Sequence, residues 1–413
     1  MLIKQERARD LAYLNSLWKL FRALHQPESI EALWFSLMEL KGPILKIVQV
    51  LSGIPGLWSA SIAARLQLVS STCSPLSSFA WAEHLKSEVP HWYSKFSLKE
   101  CYGGALGQVH KVFWNETEFR ACKVQYPNMH AILKQDFQRL NLWRSVYQWW
   151  GAAVDTSEIL QYLYKIMEQE LDYQQEGEWM QWFHQHFQDI PWIHIPFYYS
   201  EASSKNILMM SWLQGKNFSQ EALVELPQKI RDILSYRLLY AWYQPFFSKG
   251  ILHADPHMTN YMWNQEGHIY MLDFGCVQHF SPSWIEGTKA LYTALLNKEE
   301  TQGIYYEYFG FSPLSEVQKA CIDQWAKFLY GPFLVEGPRI LPESMTQNGL
   351  HLLKQLHHTL QCHGPVRIPL EFLLLDRSCI ALGSTLIRLK GALCWKTCFQ
   401  SVMEEDIPKP YPL

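Results

Sequence analysis

The chain has 413 residues, 48% hydrophobic and 18% charged, with a formal net charge of −3. That balance describes a well-cored globular protein of two or three domain-sized units and excludes extensive disorder. A near-neutral charge also excludes the global basic signature of a nucleic-acid binder.

Residues 1–95 read as helices. Lys4, Arg7, Arg9, Lys19 and Arg22 alternate with Leu11, Leu14, Trp18 and Phe21 at helical spacing, which predicts an amphipathic helix packed on the main body, with an interfacial membrane helix as the alternative. Glu6 and Asp10 count against a transit peptide, and no signal-peptide apolar stretch is present. A second amphipathic pattern spans Leu33–Val50, and the Ser/Pro-rich patch Ser70–Ser78 reads as a break. From Phe96 the text changes: Phe96–Tyr102, Gln108–Trp114 and Glu118–Gln125 predict three strands in quick succession, the first two around the glycine-bearing turn Gly103–Gly107. A helical region rich in Leu, Trp, Tyr and Gln follows over about 128–188, then strands at Ile195–Tyr199 and Asn206–Leu213 and a turn at Gly215. Ser219–Lys249 reads as helix, and everything after Pro282 reads as helices jointed at Gly331-Pro332, Gly337-Pro338 and Gly364-Pro365.

The segment Gly250–Gly275 is the most informative stretch. It holds His253-Ala254-Asp255, then Asn260, then a short β-run, Ile269–Leu272, that ends in Asp273-Phe274-Gly275. Kinase-type phosphoryl transfer needs one carboxylate at the attacking oxygen, and an amide oxygen plus a second carboxylate to hold the cations on the nucleotide phosphates. Asp255 fits the first role, Asn260 and Asp273 the second. Such a site also needs a strand lysine for the phosphates and a helix glutamate to hold it. Lys123, in Ala121-Cys122-Lys123-Val124, follows a β-turn-β unit at the expected distance. Its partner is Glu170 or Glu176; a helix advances about 100° per residue, so the two face different ways and at most one meets Lys123. Gly103, Gly104, Ala105, Gly107 and Gln108 form a loop whose glycines let backbone N–H groups approach phosphate oxygens, although it is neither G-x-G-x-x-G nor a Walker A. The expected architecture is α+β: a bilobal, protein-kinase-like fold with a helical N-terminal extension. Its predicted parts are 1–95 as the extension, 96–214 as the small lobe with inserted helices, and 215–413 as the helical large lobe.

Together GGALGQVHKV, ACKVQYP, QELDYQQE, LHADPHMTN and LDFG resemble the UbiB/AarF family of atypical protein-kinase-like proteins, from about Lys41 to about Leu389. EFLLLDR at Glu371–Arg377 is similar to the family's C-terminal text. The resemblance implies that Lys46 and Gln49 stand for the family's KxGQ motif, with Val48 in place of its glycine. It also implies that Glu170 and Asp172 form the ExD pair that faces that lysine, so that these four gate the cleft and Glu176 is left to hold Lys123. Gly103-Gly104 replace alanines of the family's nucleotide loop, and Met258-Thr259 replace its usual Pro-Gly. The implied cofactors are ATP and Mg²⁺. The implied activity is an ATPase supporting ubiquinone or isoprenoid-lipid biosynthesis, with a quinone precursor or prenyl lipid as partner, on the cytoplasmic or organelle-matrix side and peripheral to a membrane. The rival readings are a small-molecule kinase acting on a hydroxyl, and a nucleotide-binding scaffold without turnover.

Three features point away from other classes. No run of 18 apolar residues exists, so no transmembrane helix is expected. Nine cysteines without a CxxC pair suit reduced thiols better than a disulfide framework. His351, His357, His358, Cys362 and His363 fit no zinc spacing and read as polar faces of a helix.

Overall fold

In the computed structural model the described residues are 78–138, 157–218, 223, 226–256, 258–363, 366 and 368–404. Helix α1 (Ser78–Glu88) leads into strands β1 (Phe96–Gly103), β2 (Gly107–Phe113) and β3 (Phe119–Gln125). After a helical segment at 129–138 come α2 (Ser157–Glu170), α3 (Tyr173–His186), β4 (Ile193–His194), β5 (Ile207–Ser211) and β6 (Lys216–Asn217). The long helix α4 (Gln228–Lys249) precedes β7 (Ile251–His253), β8 (Tyr261–Trp263), β9 (Ile269–Met271) and β10 (Val277–His279). Then follow α5 (Pro282–Asn297), α6 (Gln302–Glu307), α7 (Glu316–Leu334), β11 (Arg339–Ile340), α8 (Ser344–His363), α9 (Leu370–Leu389), β12 (Ala392–Leu393) and α10 (Trp395–Met403). The protein is α+β.

The chain divides into two compact units. Among the described residues the first takes 78–138, 160–177 and 198–212; the second takes 157–159, 178–197 and everything from 213 onward.

The first unit is built on an antiparallel sheet of order β1-β2-β3-β5. One face carries His110, Cys122 and Met209, all buried, with Trp81 of α1 stacked on His110 at a centroid distance of 5.6 Å. Burial holds the His110 imidazole below its ordinary pKa, hence neutral, which suits Nε2 to accept from the Trp81 indole and Nδ1–H to donate to the Ser97 carbonyl. Gly107 is required by packing: a methyl there would lie 2.3 Å from the Val124 carbonyl oxygen.

The second unit is organised on α4. Leu234, Leu238, Leu239, Trp242, Phe246 and Phe247 bury nearly all sides of this helix, as expected of a core helix without a polar face. Around its C-terminal half, Phe399 of α10 stacks on Phe333 at 4.4 Å and meets Tyr243 edge-on at 5.0 Å. Gly250 ends α4 in the left-handed region at φ +69°, its N–H donating to the Phe246 carbonyl, so the chain reverses directly into β7. A four-stranded sheet of order β4-β9-β8-β6 and the β7–β10 pair carry the segment that follows.

Several elements differ from the sequence expectation. The strand expected at Ile195–Tyr199 is instead β4, two residues long and parallel to β9, with only a bridge from Tyr198 to Met210. Pro196 has no N–H to give a ladder, which ends the strand early. Gly331-Pro332 is no joint, because α7 runs on to Leu334, and Arg339 donates to the Pro332 and Val335 carbonyls that the helix end leaves unpaired. The region after Pro282 is not wholly helical: β11 pairs with β12. The histidines expected on a helix lie on α8, where His351 meets Gln355 and His363 meets the Thr359 carbonyl.

Two outcomes follow from this packing. A methyl at Gly250 would sit 2.5 Å from the Phe280 carbonyl oxygen in a conformation that L-residues avoid. Gly250→Ala should therefore lose about 2 kcal/mol of stability in equilibrium denaturation, and an unchanged midpoint would refute the account. Asp376 of α9 is buried, its carboxylate accepting from Trp325 Nε1 at 2.7 Å, and burial pushes its pKa up to about 7. A raised folded-state pKa means that the native state holds a proton the unfolded chain has lost, so this residue's destabilising effect grows from about pH 4 to about pH 7. Asp376→Asn, which still offers an acceptor to Trp325, should gain stability over wild type across that window and hold a constant advantage above it. A difference independent of pH would show that Asp376 does not titrate there.

Candidate active site

In the first unit the site is a consequence of strand register. Lys123 on β3 lies between Val109 of β2 and Leu208 of β5, and Ala121 and Met210 share its face of the sheet. The Lys123 ammonium donates to both carboxylate oxygens of Glu176, at 2.9 and 2.8 Å, and lies 4.9 Å from the Tyr173 ring centroid. Glu176 is buried, in the first turn of α3, where the positive end of the helix favours a carboxylate. Lys123 keeps 20% of its side chain in solvent, so it is anchored and still reachable.

Glu170 is buried at the end of α2, six positions before Glu176. Asp172 accepts from the N–H groups of Gln174 and Gln175, both at 3.2 Å, which makes it the cap of α3, and it lies 4.0 Å from the Lys205 ammonium. Lys46 and Gln49, expected to meet these carboxylates, lie outside the described residues. In the glycine loop, Gly104 N–H donates to the Gly107 carbonyl, and Gly103 pairs with Gln108 to close the β1–β2 turn around Ala105. Gln108 is buried opposite Val124, and strand alternation puts it on the sheet face away from Lys123, so its side chain packs within the unit rather than at the lysine.

In the second unit β7 delivers His253, Ala254 and Asp255, and backbone bonds fix the rest. Ala254 N–H donates to the Cys276 carbonyl and Leu272 N–H to the Asn260 carbonyl, which ties the loop to both ends of the Asp273 segment. The Asn260 amide N–H₂ donates to the Asp255 carbonyl at 2.9 Å and faces its carboxylate at 3.4 Å. Its amide oxygen is therefore the atom Asn260 would offer to a cation. One carboxylate oxygen of Asp273 accepts from Gly275 N–H at 3.0 Å. His253 is wholly buried and burial depresses its pKa; its Nε2–H donates to the Asp273 carbonyl, so a neutral imidazole bridges the two halves of the motif.

Among the described residues no group of three or more His, Cys, Asp or Glu side chains could hold a metal. Asn260 and Asp273 suit Mg²⁺ nonetheless, because that ion takes one or two protein oxygens and completes its shell with phosphates and water. Sequence reasoning gave no role to Arg377, whose Nη2 donates to Asp255 Oδ1 at 3.2 Å. The available signal was a lone cation after the apolar run Phe372–Leu375.

The ABC1 atypical kinase-like domain matches residues 76–306, which contain Lys123, Glu176, Asp255, Asn260 and Asp273. The chain belongs to this family. Relatives of the UbiB/AarF type include AarF domain-containing protein kinase 1 of Xenopus laevis, 24% identical over 66% of this chain and 55% of its own length. A chloroplastic aarF domain-containing protein kinase of Arabidopsis thaliana is 23% identical over 64% of this chain and 38% of its own. An uncharacterized protein of Synechocystis is 27% identical over 63% and 46%. The chain thus spans about half the length of these ABC1 relatives. A solved Mycobacterium tuberculosis protein, in complex with erythromycin, shares the fold with a TM-score of 0.62 at 20% identity, over 94% of this chain and 98% of its own. Among the described residues no helix is long and apolar enough to cross a membrane.

The ion pair in this ABC1 chain is open to a direct test. Glu176→Ala removes the carboxylate that accepts both of these bonds from a mostly buried ammonium and should cost about 3 kcal/mol, while Lys123→Met combined with Glu176→Leu should cost clearly less, because both charges are then removed together. Equal losses in chemical denaturation for the two variants would show that the pair is not coupled.

Proposed function

We propose that this chain binds ATP with Mg²⁺ and transfers the terminal phosphoryl group to water or to a hydroxyl, as an atypical kinase-like enzyme. The observation that carries this reading is the Lys123–Glu176 pair in one unit together with Asp255, Asn260 and Asp273 linked by backbone bonds in the other. Lys123 takes the α and β phosphates, and Glu176 fixes its direction. The Gly103–Gly107 loop presents backbone N–H groups to phosphate oxygens. Asn260 and Asp273 hold the divalent cation, which when bound neutralises phosphate charge. Asp255 orients the attacking O–H and accepts its proton. The same reading takes Lys46, Gln49, Glu170 and Asp172 as gating residues. It takes a quinone precursor or prenyl lipid at a membrane surface as the setting, on the strength of the UbiB/AarF membership.

Two variants test it. ATP with Mg²⁺ at about a hundredfold excess over Kd should stabilise the protein by about 2.7 kcal/mol, seen as a raised Tm. Asp273→Asn should lose most of that shift, and an undiminished shift would remove Asp273 from the metal site. Asp255→Asn should keep the shift and lose phosphoryl transfer by about 10²- to 10⁴-fold in kcat. Wild-type turnover in that variant would refute the role of Asp255.

A further inference from the structure

Helix α9 meets the Asp255 loop at successive points, and every contact lies within the second unit. Ser378, fully buried, donates its hydroxyl to the Ala254 carbonyl at 3.0 Å. Arg377 Nη2 donates to Asp255 Oδ1 at 3.2 Å, with side-chain exposures of only 11% and 12%. Arg388 Nη1 lies 3.1 Å from the Met258 thioether sulfur. Eleven residues separate the two arginines, about 1,100° of helical rotation, so they fall within about 20° of each other on one face. The flanking residues fix the helix itself. Asp376 accepts from Trp325 of α7, and Cys379 meets the Tyr243 hydroxyl of α4 at 3.6 Å. Four consecutive side chains, 376 to 379, therefore each have a distinct partner, two on the loop and two on neighbouring helices.

We propose that α9 is the positioning element of the reaction and that Arg377 is the positioning residue for Asp255. This rests on the reading of Asp255 as the group at the attacking oxygen. Asn260 faces Asp255 Oδ2 while Arg377 holds Oδ1, so the two partners approach the carboxylate through different oxygens and set its plane. The contact is made by one guanidinium N–H at 3.2 Å, from an arginine side chain that is only 11% exposed. With the Ala254 carbonyl held by Ser378 as well, the carboxylate and the backbone that carries it are located by one rigid helix.

The test combines two readouts on the full chain, one independent of catalysis. Arg377→Met should raise amide hydrogen exchange across residues 252–260, leave the ATP–Mg²⁺ shift in Tm unchanged, and lower kcat by roughly 10²-fold, the scale of a one-ångström misplacement. Arg377→Lys should recover part of kcat, and Ser378→Ala should raise exchange in the same segment. Unchanged exchange in Arg377→Met overturns the proposal whatever the rates, and raised exchange with wild-type kcat overturns it as well. If wild type shows no phosphoryl transfer while exchange rises as expected, the enzymatic reading fails, and with it the catalytic part of the positioning role, leaving α9 as a structural clamp only.

Discussion

A lysine held by a buried glutamate is the constraint on which the first unit turns. For Lys123 to meet Glu176, β3 must be the inner strand between β2 and β5, and α3 must present its first turn to that face. The requirement explains the tight turn at Asp172, which caps α3 and separates it from α2. On the neighbouring strand, Gly107 has no room for a side chain beside the Val124 carbonyl. The pair is poorly solvated, so removing one side of it costs stability, and the contact that directs Lys123 also stabilises the unit.

The second unit solves a different problem, holding two acidic side chains, Asp255 and Asp273, on one short stretch of chain. It does so with neutral donors and backbone rather than with countercharges alone. His253, kept uncharged by burial, bridges to the Asp273 carbonyl, and Asn260 bridges to Asp255. The arrangement leaves orphans: His253 Nδ1, the Tyr261 hydroxyl and Arg377 Nη1 are buried without a hydrogen-bond partner among the described residues. Each unsatisfied group of this kind costs about 1–3 kcal/mol. Among the described residues the Ser235 and Ser248 hydroxyls of α4 are unsatisfied too, so the second unit carries such groups in its core helix as well as around the Asp255 loop.

The sequence by itself determined the order of chemistry along the chain. The spacing from His253 through Asn260 to Asp273 is local, so the short-range rules of turns and strands make it legible. Strands β1, β2 and β3 were readable within a residue or two, because alternation and the glycine turn are also local signals. Tertiary structure decided what local rules leave open. The choice between Glu170 and Glu176 could not be made from helix periodicity, since it depends on where α3 is pinned relative to β3; in the structure Lys123 meets Glu176. Gln108 sits in a loop that reads as ligand-binding, yet its pairing with Val124 turns it into the interior. Two-residue strands such as β4, β11 and β12 exist only because a distant partner is present, and no periodicity can announce them. Arg377 is the sharpest case: its contact with Asp255 spans 122 positions and joins a helix to a loop. Contacts of that range are made by packing, which depends on the whole unit being folded, and that is why only the three-dimensional structure reveals them.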